Sequence, residues 1–215
     1  MKIMTAAQLP DMLSMIAEEM AGHEEELCAM DAKMGDGDLG LTMKKGFGAL
    51  PDVAASLDHK DLGKDLMTCG MRMSSVIPST MGFLMSSGFM SGGKAIAGVT
   101  EMTGENYAKF LRGFANGIIR RGKCQPGDRT ILDALDAAAT AAEQVIKGNP
   151  DAGFDETAAA AADGAKAGTD ATIHMKPKFG KAAVHEQQAD GTRDQGAVAG
   201  MYLVQAIRDY ASRSV

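Results

Sequence analysis

Three aspartates, Asp31, Asp36 and Asp38, fall within eight residues, with glycines at 35, 37 and 40 around them. Carboxylates held this close repel one another unless a cation lies among them. A donor set made of oxygen alone, with neither His nor Cys, suits magnesium or calcium rather than zinc. An EF-hand is excluded, because Lys33, Gly35 and Thr42 stand where a calcium loop beginning at Asp31 needs two side-chain ligands and a bidentate Glu. The spacing of Gly35, Gly37 and Gly40 also matches the dinucleotide fingerprint, but no strand precedes it and two aspartates lie where a bare pyrophosphate would be repelled. Taken alone, a solvated helix-capping turn accounts for the cluster about as well as a metal site does.

Three other segments have the character of ligand-binding helix starts. Gly122 to Thr130 runs through Pro126, Gly127 and Asp128 into a helix that Asp128 or Thr130 can cap, leaving backbone N–H groups for phosphate or for the polar edge of a base. Pro78, Ser79, Thr80, Met81 and Gly82 open another helix with two hydroxyls, and Gly191 to Gly196 repeats the pattern before the last one. Each is an ordinary capped start when read by itself. Gly88, Gly93 and Lys94 imitate a P-loop, but Ala95 follows where Ser or Thr should hold magnesium, and no strand leads in. His23, His59, His174 and His185 are scattered, and no general base or nucleophile stands out.

The elements that must position these segments are helices. Leu9, Met12, Leu13, Ile16 and Met20 recur at spacings of three and four, which predicts an amphipathic helix over 5–29 capped by Thr5. The same reading predicts helices at 40–50, 59–74, 79–97, 103–121, 130–148, 154–170 and 195–212. No segment alternates with period two, so the class is all-α: eight helices joined by short polar links, packed antiparallel as a bundle that can close into a ring. The seventeen methionines serve mainly as core filler on these helices. The stretch 172–196 has no periodicity and is too long for a simple connector, which marks it as a functional loop.

With 215 residues the chain suits one domain, 1–215, with a single core. A net charge of −6 argues against a nucleic-acid binder, which needs clustered Lys and Arg. Cys28, Cys69 and Cys124 are odd in number and far apart, fitting reduced thiols better than disulfides or zinc. No apolar stretch is long enough for a signal peptide or membrane span, so a cytoplasmic protein without membrane association is expected.

The ordered set Asp-x4-Asp-Gly-Asp-x-Gly at 31–40, Gly-x-x-x-Pro-Gly-Asp-Arg-Thr-x-Leu-Asp at 122–133, Thr-x-x-Met at 172–175 and Asp-x-Gly-Ala at 194–197 resembles the ADP-binding L subunit of dihydroxyacetone kinase and the kinase domain of single-chain triose and tetrose kinases. The resemblance covers nearly the whole chain. It implies an eight-helix antiparallel barrel with ADP or ATP at one end, tethered through two Mg²⁺ ions to Asp31, Asp36 and Asp38. It implies further that Leu39, Gly40, Leu41 and Thr42, with Thr80, Met81 and Gly82, lie along the phosphates. Gly122, Thr130, Ile131 and Lys181 would flank the nucleotide, and Asp194, Gln195 and Gly196 would complete its pocket. The sugar, dihydroxyacetone or a related triose or tetrose, would sit on a separate K subunit that supplies the acid–base chemistry. ADP would be recharged by a phosphotransferase-system phosphocarrier or exchanged for ATP, and a homodimer stays open. The sequence departs from the family pattern at Leu39 (usually His), Lys181 (usually Arg) and Gln195 (usually Pro), and its 79–86 segment is Met-rich. The substitutions at Leu39 and Gln195 lean towards another triose or tetrose as substrate, such as erythrulose. A non-catalytic nucleotide sensor of the same fold is the competing reading.

Overall fold

The structure, a computed structural model, describes residues 2–180, 183–184 and 191–213. The described chain is built from helices α1 (Leu9–Gly22), α2 (Glu24–Asp31), α3 (Leu39–Gly48), α4 (Leu50–Ala55), α5 (Leu62–Val76), α6 (Thr80–Ala95), α7 (Gly104–Gly122), α8 (Ile131–Gly148) and α9 (Phe154–Ala171). A last helix, α10 (Gln195–Ala211), ends the described part of the chain.

The predicted first helix divides into a 3-10 turn at Ala6–Gln8 followed by α1 and α2. The break falls at His23, where Gly22 weakens the helix and Glu24, Glu25 and Glu26 favour a fresh N-terminus facing the dipole of α2. His23 stacks on Tyr202 of α10 at 3.7 Å, which fixes the bend against the last helix. Thr5 does stand before a helical start: its N–H and hydroxyl both donate to Gln8 Oε1. One feature was not legible by periodicity, a two-residue antiparallel bridge between Met4–Thr5 and Glu101–Met102 that ties the N-terminal segment to the α6–α7 connection. Two residues are too few to produce a period-two pattern.

Packing follows the order of the chain and then returns to its start. The α1–α2 unit packs on α3–α4, α4 on α5, α5 on α6, α6 on α7, α7 on α8, α8 on α9, α9 on α10, and α10 back on α1. This closes the predicted eight-membered helical ring, with α1–α2 and α3–α4 each filling one position. The interior is filled with side chains from all around the ring, including an aromatic group in which Phe89 meets Phe114 edge-on at 5.2 Å. Met4, Met12, Met20, Met43, Met73, Met85 and Met102 are buried in it, whereas Met71 and Met90 are among the exposed apolar residues. The residual cavity among Ile16, Phe89, Phe114 and Leu203 is ≈20 Å³, room for about one water. A nucleotide-sized ligand therefore has to bind at an end of the ring rather than along its axis.

Up-and-down connectivity decides which residues gather at each end. In an antiparallel ring every second helix begins at the same end, so the N-termini of α3, α6, α8 and α10 come together. These are the helices that follow the acidic turn and the three candidate starts read from sequence.

Candidate nucleotide and metal site

A cleft of ≈380 Å³ opens at that end. It is lined by Asp31 at the end of α2 and Asp36 and Asp38 of the turn, by Leu39 and Thr42 of α3, and by Thr80 and Met81 of α6. Thr130, Ile131, Asp194, Gln195 and Gly196, at the starts of α8 and α10, complete it together with Arg129. Four of the expected positions stand apart from its lining. Gly40 is buried where α3 crosses the Glu24 carbonyl, and Leu41 is exposed on the outer face of α3. Gly82 donates its N–H to Ser79 Oγ at 3.1 Å within the cap of α6, and Gly122 lies at the end of α7 beside Leu84, which itself lines the cleft. Lys181 and His185 lie outside the described residues. Of the remaining histidines, His23, His59 and His174, none lines the cleft.

The three aspartates each bring a carboxylate oxygen within 4.8 Å of the others. Asp31 is buried and works as the anchor: its Oδ2 accepts from the backbone N–H of Gly37 at 2.9 Å and of Asp38 at 3.2 Å. Asp36 and Asp38 are exposed to the cleft. Asp38 occupies the N-cap position of α3, yet its side chain makes no capping hydrogen bond. Elsewhere the caps are used: Asp61, Ser79, Thr103, Thr130 and Asp194 all accept from the first turn of their helices. The helix-capping explanation of the acidic turn thus fails at the residue placed to cap.

The glycines of the turn have separate duties. Gly37 has φ +77°, a left-handed conformation that glycine adopts without penalty. Gly35 is required by proximity, since a Cβ there would collide with the Asp31 carboxylate. Gly35→Ala is expected to displace Asp31 and weaken cation binding by about tenfold, measured by titration with Mn²⁺, with little loss of secondary structure.

Several wall residues escaped the reading of local patterns. Arg129 is buried with φ +59°. Its Nε donates to the Thr172 carbonyl at 3.1 Å, and an Nη donates to the Thr192 carbonyl at 2.7 Å. One guanidinium thereby joins both ends of the 172–192 segment, whose Phe179 and Gly180 reach the cleft. Lys178 on the same segment bonds Asp128 at 2.6 Å, and that bond holds the Asp128 carboxyl below the usual carboxylate range. Thr130 rather than Asp128 caps α8, donating its N–H to Asp133 Oδ2 at 2.7 Å in a reciprocal capping box.

Asp194 caps α10 by accepting from Ala197 N–H at 2.7 Å. Burial pushes its carboxyl up to about 7, against the opposing pull of the Ala197 bond and the Arg129 cation. A raised folded-state pKa means that the folded protein holds a proton which the unfolded chain releases, so this contribution is complete below about pH 4 and declines as pH rises through about 7. Asp194→Asn keeps a good cap and removes the titration, so its unfolding free energy should vary less with pH between 4 and 7 than the wild type's in urea melts.

Residues 33–209 match the family model described as the DAK2 domain. The chain belongs to the DAK2 domain family. Among DAK2 relatives, the ADP-binding subunit of the PEP-dependent dihydroxyacetone kinase of Escherichia coli K12 is 26% identical over 204 residues, covering 95% of this chain and 96% of that one. A D-erythrulose kinase of Mycolicibacterium smegmatis is 30% identical across 93% of this chain but only 34% of its own length. The crystal structure of the dihydroxyacetone kinase from C. freundii in complex with AMP-PNP and Mg²⁺ superposes with a TM-score of 0.71 at 25% identity, over 95% of this chain and 34% of that one. This DAK2 chain is therefore similar in extent to the separate ADP-binding subunit and to about a third of the single-chain kinases.

Proposed function

We propose that residues 1–215 act as one nucleotide-binding unit, the L subunit of a two-component keto-sugar kinase of the cytoplasm. The observation that carries this reading is the turn in which Asp31, Asp36 and Asp38 converge while Asp38 leaves its helix uncapped. Their oxygen-only donor set and spacing fit Mg²⁺, two ions being the expected complement for three carboxylates facing a nucleotide. Bound magnesium would neutralise charge on the transferring phosphoryl group and screen ADP or ATP from the carboxylates.

The residues of the chain supply position. Leu39, Gly40, Leu41 and Thr42 at the start of α3, and Thr80, Met81 and Gly82 at the start of α6, direct helix N-termini towards the phosphates. Thr130 and Ile131 border the nucleotide, with Gly122 beside Leu84 rather than on the lining; Asp194, Gln195 and Gly196 continue the wall next to Ile131, and Lys181 is proposed to reach it from the 172–192 segment. The cleft has no histidine among the described residues, which agrees with our proposal that a sugar-binding K subunit supplies the acid–base chemistry. Exposed Phe179, on the lining of the cleft, offers an apolar contact for that partner. Recharging of bound ADP by a phosphotransferase-system phosphocarrier and exchange with ATP are both compatible with an open cleft.

Combining the purified chain and Mg²⁺ with a sugar-binding subunit should phosphorylate dihydroxyacetone or erythrulose when ATP, or ADP with a phosphorylated phosphotransferase-system phosphocarrier, supplies the phosphoryl group, and neither protein alone should do so. If the mixture leaves both sugars unphosphorylated while the chain still binds ADP, the kinase reading gives way to a non-catalytic nucleotide sensor.

A further inference from the structure

The wall of the cleft beside the acidic turn carries a side chain whose chemistry the proposed function leaves unused. Gln195, the first residue of α10, donates from Nε2 to Asp31 Oδ1 at 3.2 Å. Only an N–H can face a carboxylate oxygen, so the carboxamide oxygen is turned the other way. That oxygen, Oε1, is enclosed and has no hydrogen-bond partner among the described residues. Leaving an enclosed acceptor unpaired costs about 1–3 kcal/mol, so Gln195 is held here at a cost to stability.

We propose that Gln195 is a positioning residue of the cation site, fixing the Asp31 carboxylate through Nε2. The inference rests on the proposed metal site and deepens it. Asp31 is held on Oδ2 by two backbone N–H groups and on Oδ1 by Gln195, so its orientation is set from both sides. Gln195 is itself well anchored, because the adjacent Asp194 is tied at its N–H to Thr172 Oγ1 at 2.9 Å and at its carboxylate to Ala197. A proline at this position, as in the family pattern, supplies no such contact, so the device belongs to chains with Gln here.

Gln195→Met preserves length and removes both polar groups. With Mn²⁺ as the probe, followed by electron paramagnetic resonance with and without ADP, its dissociation constant should rise about ten- to a hundredfold. The unfolding midpoint of the metal-free variant should stay close to the wild type's, because removal of the unpaired acceptor offsets the donor that Asp31 Oδ1 loses. A lowered metal-free midpoint with unchanged Mn²⁺ affinity would make Gln195 merely structural and overturn the proposal. Gln195→Glu places a carboxylate against Asp31, so Mn²⁺ should raise its midpoint by more than it raises the wild type's; an equal shift contradicts the proposal. If wild-type protein binds no Mn²⁺ in either condition, it is the metal-site reading itself that fails.

Discussion

Asp38→Asn should unfold at the wild-type temperature yet reduce phosphoryl transfer, assayed with the sugar-binding partner, by about a thousandfold or more. Asn and Asp are equally good N-caps, so if the acidic turn only capped α3 the substitution would be silent. What changes is charge. Asp38 sits within 4.8 Å of Asp31 and Asp36, and replacing one of three carboxylates with an amide removes a full negative charge from the expected cation site. Phosphoryl transfer depends on position and charge neutralisation more than on covalent chemistry in the protein, so a lost ligand should cost the rate far more than it costs the fold. A variant that retains more than a tenth of the activity would return Asp38 to a structural role.

Arg129→Leu should have the largest effect on stability. The guanidinium is buried and bonds the carbonyls of Thr172 and Thr192 as well as Thr192 Oγ1. It is also the cation that opposes the upward shift of Asp194. Leucine leaves these acceptors without their donor and Asp194 without compensating charge, a loss of about 3–5 kcal/mol by analogy with broken buried pairs. For a chain of this size that corresponds to roughly 10 °C in the melting midpoint. Differential scanning calorimetry should show it, and nucleotide affinity should fall in parallel, because the 172–192 segment that brings Phe179 and Gly180 to the cleft loses the residue joining its ends. A shift below about 2 °C would mean that the segment is held by other contacts such as Lys178 with Asp128.

Much of this was legible in the sequence because the site is assembled from helix starts, and helix starts have local signatures. Ser79, Thr130 and Asp194 precede apolar periodic runs and do cap α6, α8 and α10. Alternating helix direction then brings those starts to one end without any further instruction. The aspartate turn was visible for the same reason, its residues being neighbours in the chain. What escaped was non-local. Arg129 meets partners 43 and 63 residues away, and Gln195 meets Asp31 across 164, so nothing in a short window reveals either contact. The requirement for Gly35 is a matter of distance to the Asp31 carboxylate, which composition cannot show. The bend at His23 was foreshadowed by Gly22 and three glutamates, but the apolar periodicity of α1 carried the predicted helix past them.

The central claim is that the acidic turn and the surrounding helix starts form a magnesium-dependent nucleotide site. Isothermal titration of nucleotide-free protein with ADP, with and without Mg²⁺, tests it most directly. Saturable binding that requires Mg²⁺, and that Asp36→Asn loses, is the result this structure leads us to expect. ADP binding of equal strength in the presence of EDTA, or no binding under either condition, would contradict it.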